Sequence, residues 1–256
     1  MEASKPKYRE IRMLPRDWEL LSFIEEQGFV SFDQILKRFF KNQPTCSMRL
    51  QKLCYFKYLD RKKLADFFQS SRKGGVRQGY FPHLLNLNIK PNHQIYFIHR
   101  EYAKGYGKSS KLFKPSMILH QLIMNDLRVF LDEEIAHKIL LNDPKLQIVS
   151  SIQFGRNKEI VPDLSYEYNK VKIAIELERT PKGMVRYFER FSFFRDSIYT
   201  HVIYYYTDEC QLKNLLKRAG HSTKFAFAHY KFPDELYSNT FGPLSLNDFL
   251  HKSLMN

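Results

Sequence analysis

The chain reads as an α+β protein in two parts, a basic helical module over residues 1–115 and a mixed α/β domain over residues 116–256. Three observations predict this. Residues 1–115 hold 23 Lys+Arg against 10 Asp+Glu, a net +13, whereas residues 116–256 hold 18 against 17, a net +1. The first part carries three short apolar stripes at helical spacing, separated by turn residues. The second alternates helical and strand-like segments, with acids gathered on two neighbouring strands.

Leu14-Pro15-Arg16-Asp17 opens the first helix, with proline at an early position and an acid in the first turn. Trp18, Leu21, Phe23 and Ile24 form its expected buried stripe, and Gly28 closes it. Ser31 is the expected N-cap of a second helix carrying Phe32, Ile35, Leu36 and Phe39. Lys41-Asn42-Gln43-Pro44 breaks that helix. Thr45 then caps a third, with Met48, Leu50, Leu53 and Cys54 on its apolar side and Ser47, Arg49, Gln51, Lys52 and Lys57 on the other. Three short helices with a basic third make a helix-turn-helix layout, and Arg49, Gln51, Lys52 and Lys57 become candidate DNA contacts.

Residues 58–64 and 94–100 read as strands flanking the glycine-rich, basic stretch 69–79, where Arg72, Lys73 and Arg77 are candidate phosphate contacts at a wing tip. The first part is thus predicted to be a winged helix-turn-helix. A winged helix that binds protein is the alternative, and the concentration of positive charge favours duplex DNA. The Gly, Ser and Lys content of residues 104–115 marks a boundary.

In the second part, residues 116–134 are helical by period, with Ile118, Leu119, Leu122, Ile123, Leu127, Phe130 and Leu131 on the buried side. Strands follow over 147–154, 160–168 and 171–178. A helix over 183–197 carries Tyr187, Phe188, Phe191 and Phe194. A strand over 201–206, a helix over 208–218 and a strand over 224–230 complete the order α-β-β-β-α-β-α-β, which implies a central mixed sheet.

Pro162-Asp163 opens the second of these strands, and Ile173-Ala174-Ile175-Glu176-Leu177-Glu178 forms the third. Glu176 and Glu178, two apart on a strand, share a face. Carboxylates at the end of a buried strand need a cation beside them. A divalent metal held by Asp163, Glu176 and Glu178 would serve, since hard cations take oxygen ligands. Ion pairs with Arg179, Lys182 and Arg186 would serve equally.

The remaining composition narrows the classes. Cys46, Cys54 and Cys210 show neither metal spacing nor a disulfide framework, which suggests a reducing cytoplasm. The first residues lack the apolar core of a signal peptide, and no apolar run approaches the roughly 20 residues that span a bilayer. No Ser/His/Asp constellation, Walker loop or GxGxxG motif supports a hydrolase triad or a nucleotide cofactor.

The strand order, with Pro162-Asp163 on one strand and Glu176-Leu177-Glu178 on the next, resembles the PD-(D/E)XK nuclease-like superfamily. With the first part included, residues 12–230 resemble the replication-relaxation family of plasmids and mobile elements. Leu14-Pro15-Arg16-Asp17, Met48-Arg49-Leu50-Gln51-Lys52-Leu53, the helix segment 120–126 and Glu176-Leu177-Glu178-Arg179-Thr180-Pro181-Lys182 carry that likeness. The C-type conjugative relaxases also couple a helix-turn-helix to this kind of core.

The resemblance implies a divalent-metal-dependent nicking or relaxing activity on double-stranded DNA at a plasmid or mobile-element origin, with replication or mobilisation proteins as further partners. Asp163 and Glu176 match the family's Mg²⁺ or Mn²⁺ ligands, where a metal polarises the phosphate and activates a water. The family lysine falls at Glu178. Either Glu178 is a further ligand and Lys182 supplies the amine, or catalysis is lost and the fold persists as a DNA-binding replication or transcription regulator. Glu133 or Glu134 are candidates for a helix-borne acid, and His120 for a residue facing the site. A relaxase would also need a tyrosine nucleophile, for which the 16 tyrosines offer no clear choice.

Overall fold

The computed structural model describes residues 8, 10–69, 93–105, 115–140, 161–168, 171–179 and 183–252. Its contacts divide the chain into two compact units, Met1–Asn125 and Asp126–Asn256. The division falls inside a long helix rather than at residue 115.

The first unit runs α1 (Pro15–Gln27), β1 (Val30–Ser31), α2 (Phe32–Phe39), α3 (Gln43–Tyr55), β2 (Leu59–Lys63), α4 (Leu64–Gln69), β3 (Gln94–Ile98), α5 (Arg100–Gly105) and the leading turns of α6 (Pro115–Leu140). Its three strands are antiparallel in the order β1-β3-β2. Leu20, Leu21, Phe23 and Ile24 of α1 are buried, but Trp18 is 46% exposed and leaves the expected stripe. Asp17 is buried instead. Gly28 ends α1 at φ 82°, a left-handed conformation that glycine adopts without a Cβ penalty.

Ser31 caps α2 as expected: its Oγ accepts from Gln34 N at 3.3 Å while Gln34 Oε1 accepts from Ser31 N at 3.0 Å. The start of α3 differs from the expectation. Asn42, not Thr45, is its cap, accepting from Thr45 N at 3.0 Å. Pro44 lies within the first turn, where a missing N–H costs nothing. The helix is therefore longer at its front, and Cys46 joins Leu50 and Leu53 in the core while Met48 is 63% exposed.

The leading turns of α6 are tied down by buried amides. Asn125 Nδ2 donates to the Phe29 carbonyl at 2.8 Å, Gln34 Nε2 to the Leu122 carbonyl at 2.8 Å, and Gln121 Nε2 to Asn125 Oδ1 at 2.9 Å. Buried amides persist only where such partners exist.

The second unit is built on β4 (Leu164–Tyr168), β5 (Val171–Glu178), β6 (His201–Tyr206), β7 (Phe225–His229), β8 (Glu235–Ser238) and β9 (Gly242–Ser245), hydrogen-bonded in that order. β5, β6 and β7 are parallel and the flanking pairs antiparallel, so the sheet is mixed. The helices are the remainder of α6, α7 (Met184–Asp196), α8 (Glu209–Ala219) and α9 (Leu246–Lys252).

Strand alternation sets the two faces. Ala174, Val202, Tyr204, Tyr206, Phe225 and Phe227 meet Tyr187, Phe191 and Phe194 of α7 and Leu215 and Ala219 of α8. Phe191 stacks on Tyr204 at 4.9 Å. On the other face, the Tyr166 hydroxyl donates to Asp132 of α6 at 2.9 Å, and His201 packs edge-on against Phe249 of α9. Phe188 of α7 is 67% exposed. β8, β9 and α9 have no counterpart in the sequence reading. The strand expected over 147–154 lies outside the described residues.

Candidate functional site

In the first unit, the residues singled out on α3 turn out to be engaged within the fold. Arg49 Nε donates to Asp17 Oδ1 at 2.9 Å, its Nη2 also binds Asp17, and Nη2 donates to the Arg12 carbonyl at 2.8 Å. Asp17 is fully buried, so this guanidinium answers a buried charge between α1 and α3. Gln51 Nε2 lies 3.4 Å from Ser47 Oγ, Lys52 Nζ sits 5.8 Å from the Tyr8 ring, and Lys57 Nζ pairs with Glu101 at 2.9 Å. Arg72, Lys73 and Arg77 lie outside the described residues.

Among the described residues, one run of consecutive basic side chains lies on β2. An open groove of about 660 Å³ lies between the leading turns of α2 and α3 and the β2–β3 pair, with Gln43, Ser47, Arg61, Lys62 and Lys63 on its walls. Arg61, Lys62 and Lys63 are exposed consecutive residues of β2, the edge strand opposite β1. Asp33 and Asp66 also line the groove, and His93 Nε2 approaches Asp33 at 3.9 Å. The run Arg61-Lys62-Lys63 is the sequence signal of this surface.

In the second unit, the acids gather at the end of β5. Glu176 is fully buried and Glu178 1% exposed. Register sets Glu176 beside Tyr204 and Glu178 beside Tyr206, on the face that α7 covers. Asp163 Oδ2 accepts from the Leu177 amide at 2.9 Å, which holds the Pro162-Asp163 turn against β5. The cation is one the sequence reading missed. Arg190 of α7 donates through Nη2 to Glu176 Oε1 at 2.8 Å and to the Val161 carbonyl at 3.4 Å.

Burial works against the Arg190 charge, yet Glu176 and then Asp163 hold it protonated and its pKa raised. The Tyr204 hydroxyl stays protonated too, its pKa pushed well above the ordinary phenol value by burial and then by Glu176. Arg190 follows Tyr187 by three residues and precedes Phe191 by one, so the helical period alone sets it beside the buried stripe.

These residues do not fit a metal as they stand. Among the described residues no group of three or more His, Cys, Asp or Glu side chains could hold a metal ion. One Glu176 oxygen faces a guanidinium, and one Asp163 oxygen faces a backbone amide. Lys182 lies outside the described residues. No family model matches the chain, and neither a curated protein nor a solved structure does.

Asp132 of α6 meets the sheet through Tyr166, on the face away from Glu176, and Arg128 Nε lies 3.5 Å from it. Glu133 is exposed and Glu134 half-buried. His120 is half-buried in the first unit. Tyr187, Tyr204, Tyr205 and Tyr206 are all buried, and burial, then Glu209, pushes Tyr206 up to about 12. Burial holds the Tyr204, Tyr205 and Tyr206 hydroxyls protonated, so none of these three offers a ready phenolate. No described helix is long and apolar enough to cross a membrane.

Proposed function

We propose that this is a DNA-binding protein of a mobile element, related to the replication-relaxation family, acting as a replication or transcription regulator through a winged helix-turn-helix in its first unit. The second unit is a nuclease-like α/β domain retained as a scaffold. The observation that carries the reading is the charge: residues 1–125 hold all but one unit of the net +14, with a net +13. The helix and strand order α1-β1-α2-α3-β2-β3, with the sheet order β1-β3-β2, supports the winged-helix part.

On this reading the duplex lies against the leading turn of α3 and the β2 edge. Gln43 and Ser47 face base edges, and Arg61, Lys62 and Lys63 face phosphates. Nicking at Asp163, Glu176 and Glu178 with Mg²⁺ or Mn²⁺ is the second reading, which rests on the resemblance and on the two buried glutamates at the end of β5.

The test is binding of the full chain to duplex DNA across a salt series, together with conversion of supercoiled DNA to nicked circles with and without Mn²⁺. Affinity that falls steeply with salt and no Mn²⁺-dependent nicking support the proposal. Affinity indifferent to salt removes it. Metal-dependent nicking lost in Glu176→Gln selects the second reading.

A further inference from the structure

We infer that Arg190 is a permanent counter-ion of Glu176, so that the native site is closed to divalent cations. The inference concerns the second unit alone and stands whether or not the first unit binds DNA.

Three observations converge on it. Glu176 is fully buried, and an isolated carboxylate there would carry a large desolvation penalty. Its cation comes from α7, a helix that register and core packing already press onto the same sheet face through Tyr187, Phe191 and Phe194. The Arg190 side chain is only partly exposed, at 23%, and it joins two chain segments, touching Glu176 of β5 and the Val161 carbonyl ahead of β4.

The geometry makes a metal and Arg190 competitors. A divalent ion bridging Asp163 and Glu176 would sit where their joint negative potential is greatest, and that potential is what holds Arg190 charged. Two cations within a few ångströms repel, and the guanidinium is covalently tethered to a packed helix. Its effective concentration at Glu176 therefore exceeds that of free metal. Arg190 is a positioning residue here: it fixes the Pro162-Asp163 turn and the end of β5 against α7.

The experiment uses the full chain and Mn²⁺ as the probe. Melting temperature and the loss of the free-Mn²⁺ paramagnetic resonance signal are measured for the wild type, Arg190→Gln, Glu176→Gln and the double variant Arg190→Met with Glu176→Leu. The wild type is expected to show no Mn²⁺ uptake and no change in Tm across millimolar Mn²⁺. Arg190→Gln is expected to melt several degrees lower, because it leaves the buried Glu176 carboxylate without this guanidinium.

The double variant removes both charges together and is expected to recover stability without metal, because matched removal spares a lone buried charge. It also reads the pair if Arg190→Gln fails to fold. Mn²⁺ uptake by the wild type that disappears in Glu176→Gln overturns the inference. So does an Arg190→Gln protein as stable as the wild type, or a double variant no better folded than either single variant.

Discussion

Arg49 of α3 and Asp17 of α1 form a buried ion pair, with Arg49 Nε 2.9 Å from Asp17 Oδ1 and the second carboxylate oxygen held by Nη2. Asp17 also accepts from the Leu14 amide at 2.7 Å, so one carboxylate caps α1 and clamps α3. Removing Arg49 leaves the buried Asp17 carboxylate without this guanidinium. Arg49→Met is expected to cost about 3–5 kcal/mol of stability, read by chemical denaturation. DNA affinity measured on the fraction still folded should be near that of the wild type. A stable Arg49→Met protein that has lost DNA binding would restore Arg49 to the interface.

The β2 edge predicts a different response. Arg61→Ala, Lys62→Ala and Lys63→Ala change exposed residues, so each should alter stability little. If these side chains neutralise phosphates, each substitution lowers the slope of log affinity against log salt by about one. The measurement is a salt titration of binding for each variant. An unchanged slope in all three would move the interface off β2.

The contrast between Arg49 and Arg61 shows what the sequence could and could not reveal. Asp17 occupies the same helical stripe as Leu20, Leu21 and Ile24, and Arg49 lies between Cys46, Leu50 and Leu53. The helical period sets both charges towards inward faces, while their residue types favour the surface. Arg190 repeats the lesson beside Tyr187 and Phe191. Where pattern and type agree, as in β5 and β6, the strand limits match at 171–178 and 201–206. β1 has only two residues, Val30 and Ser31, and exists because β3 pairs with it; no local alternation can announce it. The pairing of Glu176 with Arg190 joins residues 14 apart in the chain, and spacing names no partner at that range.

The amide network of α6 gives a prediction about the first unit. Asn125 is fully buried, donating to the Phe29 carbonyl at 2.8 Å and accepting from Gln121 at 2.9 Å. Asn125→Leu keeps the approximate size but strands both partners in the interior. A loss of about 1–3 kcal/mol is expected for each group left without its hydrogen bond. Denaturant unfolding should show the midpoint fall. An unshifted midpoint would mean that the network contributes nothing to holding α6.

His201 makes the stability of the second unit depend on pH. It is fully buried at the start of β6, with Nδ1 2.9 Å from Thr200 Oγ1 and Nε2 3.2 Å from the Leu250 carbonyl. Burial lowers its pKa from 6.5 to about 4, against the smaller opposing pull of the Leu250 and Phe249 carbonyls. The folded state thus binds the proton more weakly than the unfolded state does. Stability from the neutral ring is fully present above pH 6.5 and is lost as pH falls from there towards 4, levelling off below. At about 1.4 kcal/mol per pH unit, the loss is on the order of 3 kcal/mol. His201→Gln keeps a polar ring-sized group without the titration, so its stability should fall less over that range. Denaturation of both proteins at intervals between pH 7 and pH 4 makes the comparison. Parallel curves would show that His201 does not titrate on unfolding and that the acid sensitivity belongs to other groups.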